Sequence, residues 1–210
     1  QPRAITETIN GRLEDSDVLI KDEIDLSEEE IKNIKRIIIV ACGTSWHAGL
    51  VGEFMLEELA KIPVEVEYAS EFRYRDPIVD KDTIVIAISQ SGETADTLAA
   101  LREAKKKGAK IVSIANVKGS SIVRESDSVV YTHAGPEIGV ASTKAFTSQL
   151  VVLYLITVYF GKVRRLLTVE NVRRRVSYLR KLPLQIQSVL ENCEYIKLHA
   201  EKFYKNKNKN

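Results

Sequence analysis

The segment Ile84-Val85-Ile86-Ala87-Ile88-Ser89-Gln90-Ser91-Gly92-Glu93-Thr94-Ala95-Asp96-Thr97 changes character at its middle, where a β-branched apolar run stops in hydroxyl residues and continues as a helical pattern. Ser89, Ser91 and Thr94 supply hydroxyl donors, Gln90 an amide, and Gly92 lets the backbone approach an anion closely. At the carboxyl end of a buried parallel strand, the first turn of the next helix offers unpaired N–H groups and the positive end of its dipole. This chemistry suits a small monoester phosphate, such as that of a sugar phosphate, gripped without a positive charge. A nucleotide P-loop is excluded, because the G-x-x-x-x-G-K-[ST] spacing and its lysine are both missing. Ser and Thr are also favoured helix caps and Gly is common in βα turns, so the composition of this loop by itself also fits plain capping.

A second loop has similar chemistry. Arg36-Ile37-Ile38-Ile39-Val40-Ala41 ends in Cys42-Gly43-Thr44-Ser45, before a helix whose apolar face is expected to include Leu50, Phe54 and Leu59. In an open α/β sheet the ligand sits outside the strand carboxyl ends, where neighbouring crossovers diverge. The first loop could then hold sugar hydroxyls while the 89–94 loop holds the phosphate.

The elements that must position these loops follow from periodicity. Strands are predicted near 36–41, 64–68, 83–88, 110–114 and 128–131, alternating with helices near 45–60, 93–107 and 141–161. Such alternation implies right-handed crossovers and a five-stranded parallel sheet covered on both faces. Residues 1–35 read as a helical lead-in outside the core, with Ser27 capping Glu28-Glu29-Glu30. Lys105-Lys106-Lys107 followed by Gly108 reads as a helix end, and Gly119-Ser120-Ser121 as the cap of a further helix. The sheet domain is taken as 36–165, and 166–210 as a helical extension broken by Pro183, with Leu184, Ile186 and Leu190 resuming an apolar face. Residues 205–210 read as a surface loop.

With 210 residues and 44% apolar content, one full core can be buried. The net charge of +2 comes from interspersed charges, which argues against a nucleic-acid partner. Arg164-Arg165 and Arg173-Arg174-Arg175 read as a solvated or domain-facing helix side. Cys42 and Cys193 have no partners at zinc spacing, so no metal is expected, and a reducing cytoplasm is the expected compartment. Cys42 is assigned a lining role, not that of a nucleophile. The apolar stretch 150–160 is shorter than the about 20 residues that cross a bilayer and reads as a core or subunit-contact helix, so no membrane partner is expected. The opening Gln1-Pro2-Arg3, without an initiator methionine, suggests a chain that begins inside a longer protein.

Four strings together resemble a known family: Ala41 to Gly49, Ala69-Ser70-Glu71-Phe72-Arg73-Tyr74-Arg75, Ser89 to Thr97, and Glu137-Ile138-Gly139-Val140-Ala141-Ser142-Thr143-Lys144-Ala145-Phe146. In this order they are similar to the first sugar isomerase (SIS) domain of the glucosamine-6-phosphate synthase family. The resemblance implies a flavodoxin-like three-layer αβα fold with fructose 6-phosphate bound at the strand carboxyl edge. By the same resemblance Ser89, Gln90, Ser91 and Thr94 would hold the phosphate with Ser45 nearby, while Cys42, Gly43, Thr44, Val140 and Ser142 would line the sugar. Val140 and Ser142 rest on the resemblance alone.

The family's enzyme makes glucosamine 6-phosphate and glutamate from fructose 6-phosphate and glutamine, without a cofactor. It has a glutaminase domain, two SIS halves and a tail, and it is a dimer through SIS contacts. Only the first SIS half is expected in this chain, so the catalytic residues of the family pattern lie in missing parts. His47, His133 and His199 match none of those positions, and Glu93 and Glu137 are the only carboxylates beside the proposed site. An aldose–ketose shift needs a general base within hydrogen-bond reach of the proton that moves. The chain is therefore expected to bind sugar phosphate without turning it over. Two other readings stand beside this one, a stand-alone phosphosugar isomerase and a non-catalytic sugar-phosphate sensor domain of a regulator. A sensor would need a helix-turn-helix region, which the acidic stretch from Glu14 to Glu30 does not resemble.

Overall fold

Two isoleucine-rich runs become the centre of a parallel sheet, because only a strand covered on both faces is apolar at every position. In this computed structural model, which describes residues 1–139 and 141–207, they are β1 (Arg36–Ala41) and β3 (Thr83–Ser89), and all seven residues of β3 are buried. β2 (Val64–Tyr68), β4 (Lys110–Ala115) and β5 (Ser128–Tyr131) complete the sheet in the order β2-β1-β3-β4-β5, with every pairing parallel. β2 is an edge strand and carries Glu65 and Glu67, charges of the kind that discourage edge-to-edge association.

Side-chain alternation along the strands divides the core in two. Ile37, Ile39, Ile84, Ile86, Ile88 and Ile114 face a layer formed mainly by α3 (Thr44–Ala60) and α7 (Lys144–Val163). Ile38, Val40, Val85, Ala87 and Ile111 face the other layer, α4 (Ala69–Tyr74), α5 (Ala95–Lys106) and α6 (Ser121–Glu125), through Phe72, Leu101 and Ile122. The result is the expected three-layer αβα arrangement. Helices α1 (Pro2–Ile9) and α2 (Glu28–Asn33) precede the sheet, while α8 (Val169–Glu191) and α9 (Glu194–Lys207) follow it.

The lead-in is part of the core, contrary to expectation. Ile5, Ile20 and Ile31 are fully buried in the same cluster as the sheet, with α1 and α2 packed against α7 and the 3-10 turn Lys21–Glu23 against β5. The capping box at Ser27 does form: Glu30 N–H donates to Ser27 Oγ at 3.2 Å, and Ser27 N–H donates to Glu30 Oε2 at 2.8 Å. The ammonium of Lys110, then Ser27, hold the Glu30 carboxyl at about 2. A folded-state pKa depressed in this way gives stability that is present above the ordinary carboxylate value and is lost as pH falls toward about 2. Glu30→Gln is therefore expected to melt below wild type near pH 7, with the gap closing on acidification. Parallel melting curves across that range would show that the pair contributes nothing.

Four further differences have physical causes. Phe54 is 74% exposed, because α3 turns its small residues Ala48, Gly49 and Gly52 inward; a Cβ on Gly49 would sit 2.9 Å from Val66 Cγ1, so the helix lies too close to β2 for a bulky side chain. α8 runs through Pro183 without ending, and its buried residues Val172, Val176 and Leu179 all precede the proline, while Leu184 and Leu190 are exposed. α7 has 20 residues, long and apolar enough by length and composition to cross a bilayer, yet 72% of its most apolar window is buried inside the fold. Its apolarity is thus used within the chain, which removes the sequence-based reason for a subunit contact there. Of the expected loop 205–210, residues 205–207 continue α9, and 208–210 lie outside the described residues.

Candidate functional site

The strand order reverses between β1 and β3, and Ala41 pairs with Ile88, so the two glycine-containing loops leave the sheet side by side. After β1 the chain passes Cys42 to α3, whose N-cap is Gly43. After β3 it passes the 89–94 loop to α5, whose N-cap is Thr94. Neither helix start has a side-chain cap, so the first-turn N–H groups of both face the same gap with no side-chain acceptor on them. Thr97 Oγ1 lies 4.0 Å from Cys42 Sγ and joins the two loops beneath.

Within the second loop Ser89 is buried, and its Oγ stands 3.0 Å from Thr94 Oγ1 while accepting a hydrogen bond from Gly92 N–H at 3.0 Å. Ser91 Oγ accepts from Glu93 N–H at 3.2 Å. Gly92 has φ +67, and a Cβ there would lie 1.9 Å from Ser120 Oγ, so glycine is required both by backbone and by space. The loop is also fastened from outside. Ile122 N–H donates to Gly92 O at 3.0 Å, Asn116 N–H to Gln90 O at 3.2 Å, and Ser121 N–H to Glu93 Oε1 at 2.8 Å.

The last of these bonds changes the reading of Glu93, which lies outside α5 and caps α6 instead. The Ser121 bond holds its carboxyl below the usual range. Glu137 plays the same part for α7, accepting from Ala145 N–H at 3.0 Å and Thr143 N–H at 3.2 Å. Those bonds lower its pKa too.

The structure brings Cys42, Gly43, Thr44 and Ser45 together with Ser89, Gln90, Ser91 and Thr94. Ser142 stands at the head of α7 with φ +38, its Oγ accepting from Phe146 N–H at 3.2 Å. Val140 lies outside the described residues. The loop itself carries no positive charge, as expected, but its border does. Gln90 also lines a cavity of about 1030 Å³ whose wall includes Lys144, Lys118, Arg3 and His133. Burial first, then Arg12 and Lys118, push His133 below its ordinary value.

Three further residues shape this edge, of which Ser120 was read from the sequence only as a helix cap and the other two were missed. Ser120 abuts Gly92, Asn116 holds the 132–135 turn through Thr132 Oγ1 and Ala134 N–H, and Gln149 donates from α7 to Ser45 Oγ at 3.0 Å. Of those two, only Gln149 carried a signal, as an amide inside an apolar helix.

Comparison with known proteins agrees with this fold. The SIS domain family model matches residues 30–159. Glutamine–fructose-6-phosphate aminotransferase [isomerizing] of Caldanaerobacter subterraneus subsp. tengcongensis is 50% identical over 204 residues, which is 97% of this chain and 34% of that protein. The protein of the same name from Clostridium tetani is 50% identical over 207 residues, 99% of this chain and 34% of that protein. The solved C-terminal domain of glucosamine-fructose-6-phosphate aminotransferase from Francisella tularensis superposes with a TM-score of 0.90 at 42% identity, over 97% of this chain and 57% of that one. The chain spans about a third of the length of the curated relatives it matches. A family match across more than half of the residues, on the fold and loops described above, shows that the chain belongs to the SIS domain family.

Proposed function

We propose that this chain is the fructose 6-phosphate-binding half of the isomerase region of a glutamine–fructose-6-phosphate aminotransferase, a cytoplasmic, homodimeric enzyme of amino-sugar biosynthesis. The observation that carries this reading is the meeting of two helix N-termini, both without side-chain caps, at the strand-order reversal, with the hydroxyls of Ser45, Ser89, Ser91 and Thr94 around them. A phosphate there completes the first turns of α3 and α5 and sits at the positive end of both dipoles. The sugar comes from the relatives' names, which specify fructose 6-phosphate.

In the same reading the chain alone does not isomerise its ligand. The two carboxylates beside the loops are occupied in capping α6 and α7, and their lowered pKa values make them poor proton acceptors. The base and the nitrogen donor belong to the glutaminase and second SIS domains of a longer polypeptide. Calorimetric titration tests the binding: fructose 6-phosphate is expected to saturate one site per chain, and unphosphorylated fructose to give no heat at the same concentrations. Equal binding of both sugars would refute the phosphate site, and glucosamine 6-phosphate formed from glutamine by this chain alone would refute the division of labour.

A further inference from the structure

Gln149 is 2% exposed, in the middle of the apolar run of α7. Its Nε2 donates to Ser45 Oγ at 3.0 Å across 104 positions of sequence, while its Oε1 is buried with no partner among the described residues. A buried acceptor left unpaired costs stability, so an amide kept there calls for an explanation other than packing.

The hydroxyl of Ser45 has one hydrogen and two lone pairs. With an amide N–H on one lone pair, its hydrogen does not point at Gln149, and no group among the described residues accepts it. We infer that Gln149 is a positioning residue that sets Ser45 as a hydrogen-bond donor toward the phosphate, a step that rests on the phosphate reading above. Ser89 and Thr94 contrast with it, because their hydroxyls share a hydrogen with each other and must reorient when an anion arrives. Ser45 is aimed beforehand, which lowers the ordering cost of binding. The polarity of the bond decides the outcome, since a dianion gains only from donors. An acceptor in the place of Gln149 Nε2 would draw the Ser45 hydrogen inward and leave lone pairs facing the phosphate.

The test is a double-mutant cycle read by titration of fructose 6-phosphate and of inorganic phosphate into wild type, Ser45→Ala, Gln149→Met and the double variant, with a thermal melt of each. Gln149→Met is expected to bind both ligands about tenfold more weakly with its melting temperature unchanged, because it removes an unpaired acceptor along with the donor. The double variant is expected to bind no more weakly than Ser45→Ala. Wild-type affinity in Gln149→Met beside a weakened Ser45→Ala overturns the inference and leaves the phosphate site standing. Wild-type affinity in Ser45→Ala removes Ser45 from the site and the inference with it. Losses that add in the double variant show Gln149 acting through another group. Should Gln149→Met fail to fold, Gln149→Leu serves, since it too removes the donor without adding a charge: weakened binding in Gln149→Leu that does not add to that of Ser45→Ala supports the inference, and wild-type binding overturns it.

Discussion

Ser89→Ala/Thr94→Ala is expected to weaken fructose 6-phosphate binding by roughly 100-fold or more, because each lost hydrogen bond to a charged group is worth about 1.5–3 kcal/mol. In the free protein these two hydroxyls satisfy each other, and Ser89 Oγ also takes the Gly92 N–H. The double variant therefore leaves that N–H without its acceptor in a buried loop, a folding cost of about 1–3 kcal/mol that a thermal melt separates from the loss of affinity. Titration of both proteins at equal ionic strength decides the matter, since the helix dipoles remain in either case and only the hydroxyls are gone. Unchanged affinity in the folded double variant would place the phosphate away from residues 89–94.

Arg12→Ala should produce the largest loss of stability, about 3–5 kcal/mol in chemical denaturation, because it breaks a partly buried pair by removing one member. Arg12 is 5% exposed, and its guanidinium grips Glu23 with two hydrogen bonds, Nε to Oε1 at 2.7 Å and Nη2 to Oε2 at 2.5 Å, while Nη1 donates to Thr8 O at 2.9 Å. Thr8 Oγ1 in turn donates to Thr132 O, so the side chains of Arg12 and Thr8 between them tie α1, the turn at 21–23 and the segment after β5 together. Lysine cannot reproduce the planar fork, so Arg12→Lys is expected to recover only part of the loss. Arg12→Met/Glu23→Leu, which removes both charges, should be more stable than Arg12→Ala. A double variant no better than the single one would show that the loss comes from packing and not from the orphaned carboxylate.

The strands were readable almost to the residue, because central parallel strands must be apolar throughout and the Ile runs at 36–41 and 83–89 have no other period. The two site loops were readable for a local reason, since glycine and hydroxyl residues directly after a strand mark an open helix start. Helix beginnings were placed two or three residues early at α5 and α7, because Glu93 and Ser142 look like first-turn residues but lie outside the helices. Phe54 was misplaced since hydropathy favours bulk, whereas contact with the sheet at α3 favours glycine. The burial of Ile5, Ile20 and Ile31 and the Gln149–Ser45 bond depend on partners distant in the chain, which no local pattern encodes. Pro183 was read as a break, yet the helix runs through it to Glu191, at the cost of the hydrogen bond to the Leu179 carbonyl.

The fastening of the 89–94 loop to Asn116, Ser121 and Ile122 has a bearing on selectivity. A receptor shaped before its guest arrives reads only charge and size at that end, and it would take any phosphomonoester alike. Discrimination among sugars then falls to the opposite rim, at residues 42–44 and the approach to α7, where substitutions should change which sugar is preferred more than how tightly its phosphate is held.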